Sequence, residues 1–129
     1  MTPSTSRKAA RRQALFLLYQ WDLTGHELAS LFEGEPDDFA RGLAEAVATR
    51  AEALDARITA ASPDWPAERL GTLERNILRI GVYELEEETV PREVAINEAV
   101  VLAKRYATED ASRLVNGILA RVAREEEAA

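Results

Sequence analysis

Apolar residues along this chain recur every three or four positions rather than in alternation, the spacing of helices and not of strands. Over 7–23, Ala10, Ala14, Leu17, Leu18 and Trp21 fall on one helical face, and Gly25 interrupts the pattern. A short patch at Leu28, Leu31 and Phe32 predicts one or two helical turns. Glu35-Pro36-Asp37-Asp38 reads as a helix start, with proline at the first turn and acids suited to the positive end of the helix dipole. From there Phe39, Leu43, Val47, Ala51, Leu54 and Ile58 form one long stripe that ends near Ser62-Pro63.

Pro63 and Pro66 bracket a turn, and a further helix is predicted over 67–87 with Leu70, Leu73, Ile77, Ile80 and Gly81 on its inner side. Glycine in a helix interior costs about 1 kcal/mol against alanine, so Gly81 points to a close approach of a second helix. Glu86-Glu87-Glu88 opposes the dipole and predicts a frayed end. Val90-Pro91 opens another helix, with Ala95, Ala99, Leu102, Ala103 and Tyr106 on its face. Thr108 is the expected N-cap of the last helix, followed by Glu109 and Asp110 in its first turn and by the stripe Ala111, Val115, Ile118, Leu119 and Val122. The acidic tail from Glu125 is expected to be disordered. The pattern as a whole predicts an all-α fold.

Composition narrows the function classes. The chain has 129 residues, 47% apolar and 30% charged, a globular balance. It has no cysteine and one histidine, which excludes disulfides, thiolate chemistry and cysteine- or histidine-cluster metal sites. No segment reads as a membrane span or a secretory leader, so a cytoplasmic protein is expected. No phosphate-binding glycine loop, nucleophile elbow or zinc-protease motif occurs, and His26 sits in a predicted loop with no partners. No catalytic residue, metal or cofactor is expected.

Charge is uneven. The net charge is −7, yet residues 1–12 hold Arg7, Lys8, Arg11 and Arg12 and no acid. Contact with a polyanion needs a local patch rather than a basic total. The four cations sit at the start of a helix, where they oppose the dipole. Tyr19 lies seven residues beyond Arg12, near the same side. Basic residues beside an aromatic ring are the composition of a single-stranded RNA contact, charge for the backbone and ring for a base. A solvated helix end with Tyr19 at the edge of the core is the alternative. Asn97-Glu98 and Asn116-Gly117 interrupt two apolar stripes; a structural role, by helix contact or hydrogen bonding, is expected for them.

Four strings in this order carry a resemblance: ALFLLYQW (Ala14 to Trp21) after the basic arm, ERNILRIGVYEL (Glu74 to Leu85), VPREVAINEAVVLAK (Val90 to Lys104) and LVNGILARV (Leu114 to Val122). Together they resemble the NusB family of transcription antitermination proteins, over about residues 7 to 124. The resemblance implies a helical bundle of about seven helices in two subdomains, about 5–62 and 63–125. It also implies a non-catalytic RNA-binding factor. Such a factor pairs with the small-subunit ribosomal protein NusE on the boxA element of nascent ribosomal RNA. It then joins NusA, NusG and RNA polymerase, and some family members form homodimers through the first helix. By motif position the resemblance assigns RNA contacts to Arg7, Lys8, Arg11, Arg12, Tyr19, Asp110 and Leu114, and places Glu74 near the partner surface. The family often has an aromatic residue where Leu114 stands. A NusB-like domain also opens RNA cytosine methyltransferases, which add a methyl-donor domain. A helical adaptor that binds proteins alone is the other alternative, and the basic arm speaks against it.

Overall fold

The computed structural model describes residues 6–32, 34, 37–62 and 64–128. Within them lie six α-helices and two single 3-10 turns, and no strand. Helix α1 (Arg7–Thr24) is capped by the Ser6 hydroxyl, which accepts from the Ala9 amide at 3.2 Å. It ends at Gly25, which takes the left-handed conformation (φ 76°) and donates its amide to the Trp21 carbonyl. Its buried face is Ala10, Arg11, Ala14, Leu15 and Leu18. The patch at Leu28–Leu31 forms one 3-10 turn.

Asp37 caps helix α2 (Asp38–Thr49) by accepting from the Phe39 and Ala40 amides at 2.9 and 3.1 Å; Glu35 and Pro36 lie outside the described residues. The single long helix expected after Asp38 is two. Arg50 leaves helical geometry (φ −103°, ψ 11°), and α3 (Ala51–Ala61) follows at once. The stripe survives the break: Leu43, Val47, Ala51, Leu54 and Ile58 are all buried. The amide of Arg50 still bonds back to Ala46 and its carbonyl still accepts from Leu54, so the chain bends without interrupting the apolar seam. No glycine or proline marks the bend. Its guanidinium bonds to Glu86 and Glu87 at the end of α4.

The helix predicted over 67–87 is also divided. A 3-10 turn at Ala67–Arg69 leads through extended Leu70 and Gly71 into α4 (Thr72–Glu87). Helices α5 (Arg92–Tyr106) and α6 (Glu109–Ala128) complete the fold. Thr108 caps α6 as expected, its hydroxyl accepting from the Ala111 amide at 2.9 Å. Helix α4 is the centre: α1, α3, α5 and α6 all pack on it, and Asn76 to Val82 are buried without a gap. One continuous cluster of buried residues runs from Ala14 to Ala123 and draws on all six helices.

Two acidic segments differ from expectation. The end of α4 is clamped rather than frayed, because Arg50 holds Glu86 and Glu87 while Arg57 holds Glu86. The tail stays helical to Ala128, with Glu126 paired to Arg57 and Glu127 to Arg92. In both places arginines from distant helices supply the positive charge that local sequence lacks.

Two of the helical glycines, Gly81 and Gly117, play opposite parts. A Cβ on Gly81 would lie 2.7 and 2.9 Å from the two methyl carbons of Leu119, itself fully buried, so glycine lets α4 and α6 close up as expected. Gly117 has open space where its Cβ would stand, and Asn116 beside it is exposed; neither serves helix packing. Gly81→Ala is expected to destabilise the fold by about 1–3 kcal/mol through overpacking. Gly117→Ala should stabilise it by up to about 1 kcal/mol through helix propensity. Urea unfolding of the two variants checks both signs.

Candidate nucleic-acid interface

The basic start of α1 divides by helical phase. Arg11 falls on the inner face with Ala10 and Ala14 and is only 3% exposed. Its Nε donates to both oxygens of Glu84 at 2.9 and 3.0 Å, and its Nη2 donates to Oε2 at 2.8 Å. Glu84, on α4, is 2% exposed. Burial alone would lower the Arg11 pKa, but the hydrogen bonds and charge of Glu84, helped by Glu98, raise it above the ordinary value, so the guanidinium stays charged. The expected phosphate contact at Arg11 is therefore corrected: its guanidinium is spent inside the fold.

The other three cations face outward. The Arg7 guanidinium carbon lies 3.9 Å from the centre of the Phe39 ring, over the start of α2. Lys8 is exposed, and its Nζ is 3.8 Å from a Glu98 oxygen on α5. Arg12 is half-buried and makes no ion pair among the described residues. Lys8, Arg12 and Phe16 stand four residues apart on one side of α1.

That side faces α5. Phe16, 41% exposed, meets Tyr106 edge to face with ring centres 5.1 Å apart. The Lys8–Glu98 and Phe16–Tyr106 bridges are each eight residues apart on both helices, so α1 and α5 run in the same direction for about 12 Å between them. Both helices rest on α4, and side chains span the seam above it. Val101 is exposed on α5, and the Arg105 guanidinium carbon stands 5.3 Å from the Tyr106 ring centre. Lys104 and Arg105 are exposed, with no ion pair among the described residues. Tyr19, three residues past Phe16, is half-buried.

The seam leads to the other predicted residues. Tyr106 ends α5, and Thr108 two residues later caps α6, placing Asp110 in the first turn and Leu114 one turn further. Asp110 is exposed and pairs with Arg113; Leu114 is partly buried against the core. The structure thus gathers Lys8, Arg12, Phe16 and Tyr106 along one seam that ends at the start of α6. It places Glu74 apart, in the first turn of α4, half-buried, with its carboxylate folded over Gly71. Sequence reasoning passed over Phe16, Lys104, Arg105 and Tyr106. Phe16 is signalled by its spacing from Arg12, whereas its neighbour Tyr106 is ninety positions away and carries no such signal.

Most remaining arginines are occupied internally. Asp22 Oδ2 accepts from Arg75, Asn76 and Arg79 at 2.9, 3.0 and 2.9 Å, and Arg79 also makes two bonds of 2.6 Å to Asp55. On an acidic body, the seam is a local cationic and aromatic surface. No group of three or more potential metal-ligating side chains is present among the described residues, and no helix there is long and apolar enough to cross a membrane.

Comparison with known proteins bears on this surface. The family model described as the NusB family matches residues 8–124. The transcription antitermination protein NusB of Rubrobacter xylanophilus is 42% identical over 121 residues, covering 88% of this chain and 87% of that protein. A solved structure of NusB from T. maritima superposes with a TM-score of 0.84 at 31% identity, covering 95% of this chain and 94% of that one. A crystal structure of antitermination factors NusB and NusE in complex with dsRNA contains a chain matching at TM-score 0.82 and 31% identity, covering 92% of this chain and 96% of that one.

Arg11→Ala is expected to cost about 3–5 kcal/mol, because it strands Glu84 as a buried charge. Lys8→Ala and Arg12→Ala should each change stability by less than about 1 kcal/mol. Thermal and urea unfolding without RNA separates the buried cation from the exposed ones.

Proposed function

The chain belongs to the NusB family, and we propose that it is a non-catalytic, RNA-binding transcription antitermination factor that uses the α1–α5 seam as its RNA surface. The observation that carries this reading is the gathering of outward-facing cations and exposed rings on one side of an acidic protein. Arg7, Lys8 and Arg12 supply phosphate contacts, joined by Lys104 and Arg105. Phe16, Tyr106 and Tyr19 offer ring faces and edges for bases. Asp110 and Leu114 continue the surface onto α6. Arg11 acts as a positioning residue, anchoring α1 so that its neighbours face out.

The ligand is single-stranded RNA carrying boxA from ribosomal RNA leaders and spacers, bound together with the ribosomal protein NusE. Support for an RNA ligand shared with NusE comes from the solved complex of NusB and NusE with dsRNA, one chain of which this chain resembles; the single strand follows from the rings along the seam. The net negative charge of the chain weakens its hold on RNA when it acts alone, which makes the joint surface with NusE the tight-binding one. Glu74 is assigned to the side of that partner. NusA, NusG and RNA polymerase complete the complex in the cytoplasm. A homodimer formed through α1 would cover the seam and so compete with RNA.

Binding of a boxA-like RNA, with and without the NusE protein of the same organism and at two salt concentrations, tests the proposal. The wild type should bind more tightly with NusE present. Replacing Arg7, Lys8 and Arg12 together by alanine should lower the salt slope by about 2, near 0.7 for each phosphate no longer neutralised. An unchanged slope with a folded variant would remove the seam from RNA binding. Failure of the wild-type pair to bind RNA at all would remove the function.

A further inference from the structure

A second aromatic and cationic surface lies beyond the seam. Trp65, in the connection between α3 and α4, is 51% exposed, an unusual position for the largest side chain of a small helical protein. It borders an open cleft of about 380 Å³, within the range of small-ligand sites. The opposite wall is α6, which contributes Leu114, Gly117 and the cations Arg113, Arg121 and Arg124. Gly117 leaves the α6 wall without a side chain, with open space where its Cβ would stand, and it lines the same cleft as Trp65.

Charge selects the occupant. Three arginines line the cleft against one acid, Asp64, on a chain whose acids outnumber its bases. Arg113 pairs with Glu109 and Asp110, and Arg121 lies 3.8 Å from Glu125, but these contacts are exposed and within one helix. Such pairs contribute little and exchange readily for a phosphate. Arg124 has no ion pair among the described residues. The cleft is also continuous with the seam, since Leu114 lines it one turn beyond Asp110.

We infer that this cleft is a nucleotide subsite of the same RNA track, with one base stacked on Trp65 and its flanking phosphates held by Arg121 and Arg124. The inference rests on the RNA-binding function proposed above and extends it from α1 and α5 to the far end of α6. Glycine at 117 then has a reason that helix packing does not supply: a side chain there would occupy the space of the base. RNA that enters along the seam passes the capped start of α6 and reaches Trp65 after about 10 Å of that helix, the rise from Asp110 to Gly117.

The test uses the complex with the NusE protein and a fluorescein-labelled single-stranded RNA, a boxA-like element flanked by oligouridine. Trp65→Ala should weaken binding about 5- to 150-fold, and Trp65→Phe should restore most of it. Gly117→Leu should weaken RNA binding while its melting temperature without RNA stays level or rises, a combination that structural damage does not produce. Arg121→Ala with Arg124→Ala should lower the salt slope by about 1.4. Wild-type affinity in both Trp65→Ala and Gly117→Leu overturns the subsite. So does loss of NusE binding by these variants in the absence of RNA, which would make the cleft a protein contact. If the Arg7, Lys8 and Arg12 variant loses RNA while Trp65→Ala keeps it, the subsite falls and the function stands. If the wild-type complex binds no RNA, the function falls first.

Discussion

Helix α4 is buried without a gap from Asn76 to Val82 and again at Glu84, so each polar side chain at those positions must find a partner inside the protein. Asn76, Arg79 and Glu84 are all buried there, and each is answered from another helix: Asp22 from α1, Asp55 from α3 and Arg11 from α1. An unpaired charge at such a depth costs several kcal/mol, which makes misaligned packings of the same helices unfavourable. Burial lowers the pKa of Arg79 as it does that of Arg11, yet the carboxylates beside each outweigh it and hold both guanidiniums charged. The fork of a guanidinium matched to two carboxylate oxygens is directional, so these pairs fix the rotation of α1 about its own axis as well as its position.

That rotation determines the functional surface. With Arg11 turned inward to Glu84, Lys8 and Arg12 on its two sides turn toward α5, and Arg7 toward Phe39 on α2. Phe16 then meets Tyr106, and these two rings stand beside outward-facing cations. The same inventory of arginines serves two ends. Those at 11, 50, 57, 75, 79 and 92 neutralise carboxylates between helices, and those at 12, 105 and 124 remain open to a ligand. An acidic total charge is therefore compatible with binding a polyanion, because the acids are matched where they are buried and the bases are left where they are exposed.

Much of the fold was legible in order along the chain. Apolar spacing alone identified helices rather than strands, and residue types along the chain placed a helix start within 35–38, the cap at Thr108 and the close contact at Gly81, because helical period, capping and steric room are properties of neighbouring residues. The bend at Arg50 was not legible, since the apolar stripe runs through it unbroken. Nor was the order at Glu86 and Glu126, where local charge predicts fraying and only arginines from other helices reverse it.

The candidate site divides along the same line. A basic arm with a nearby tyrosine was visible in the sequence, as was the resemblance carried by the later helices. Which arginine of the arm is structural was not visible: Arg11 and Arg12 are chemically identical neighbours, and the helical phase that separates them matters only once Glu84, seventy-three residues away, stands opposite. Phe16 with Tyr106, and Trp65 with the bare face of Gly117, are likewise pairs that folding creates. Sequence determined the helices and their chemistry, because those follow from contacts between near neighbours. Tertiary structure decided which charges are spent inside and which rings stand beside the free ones, because desolvation and facing geometry exist only between segments that are distant along the chain.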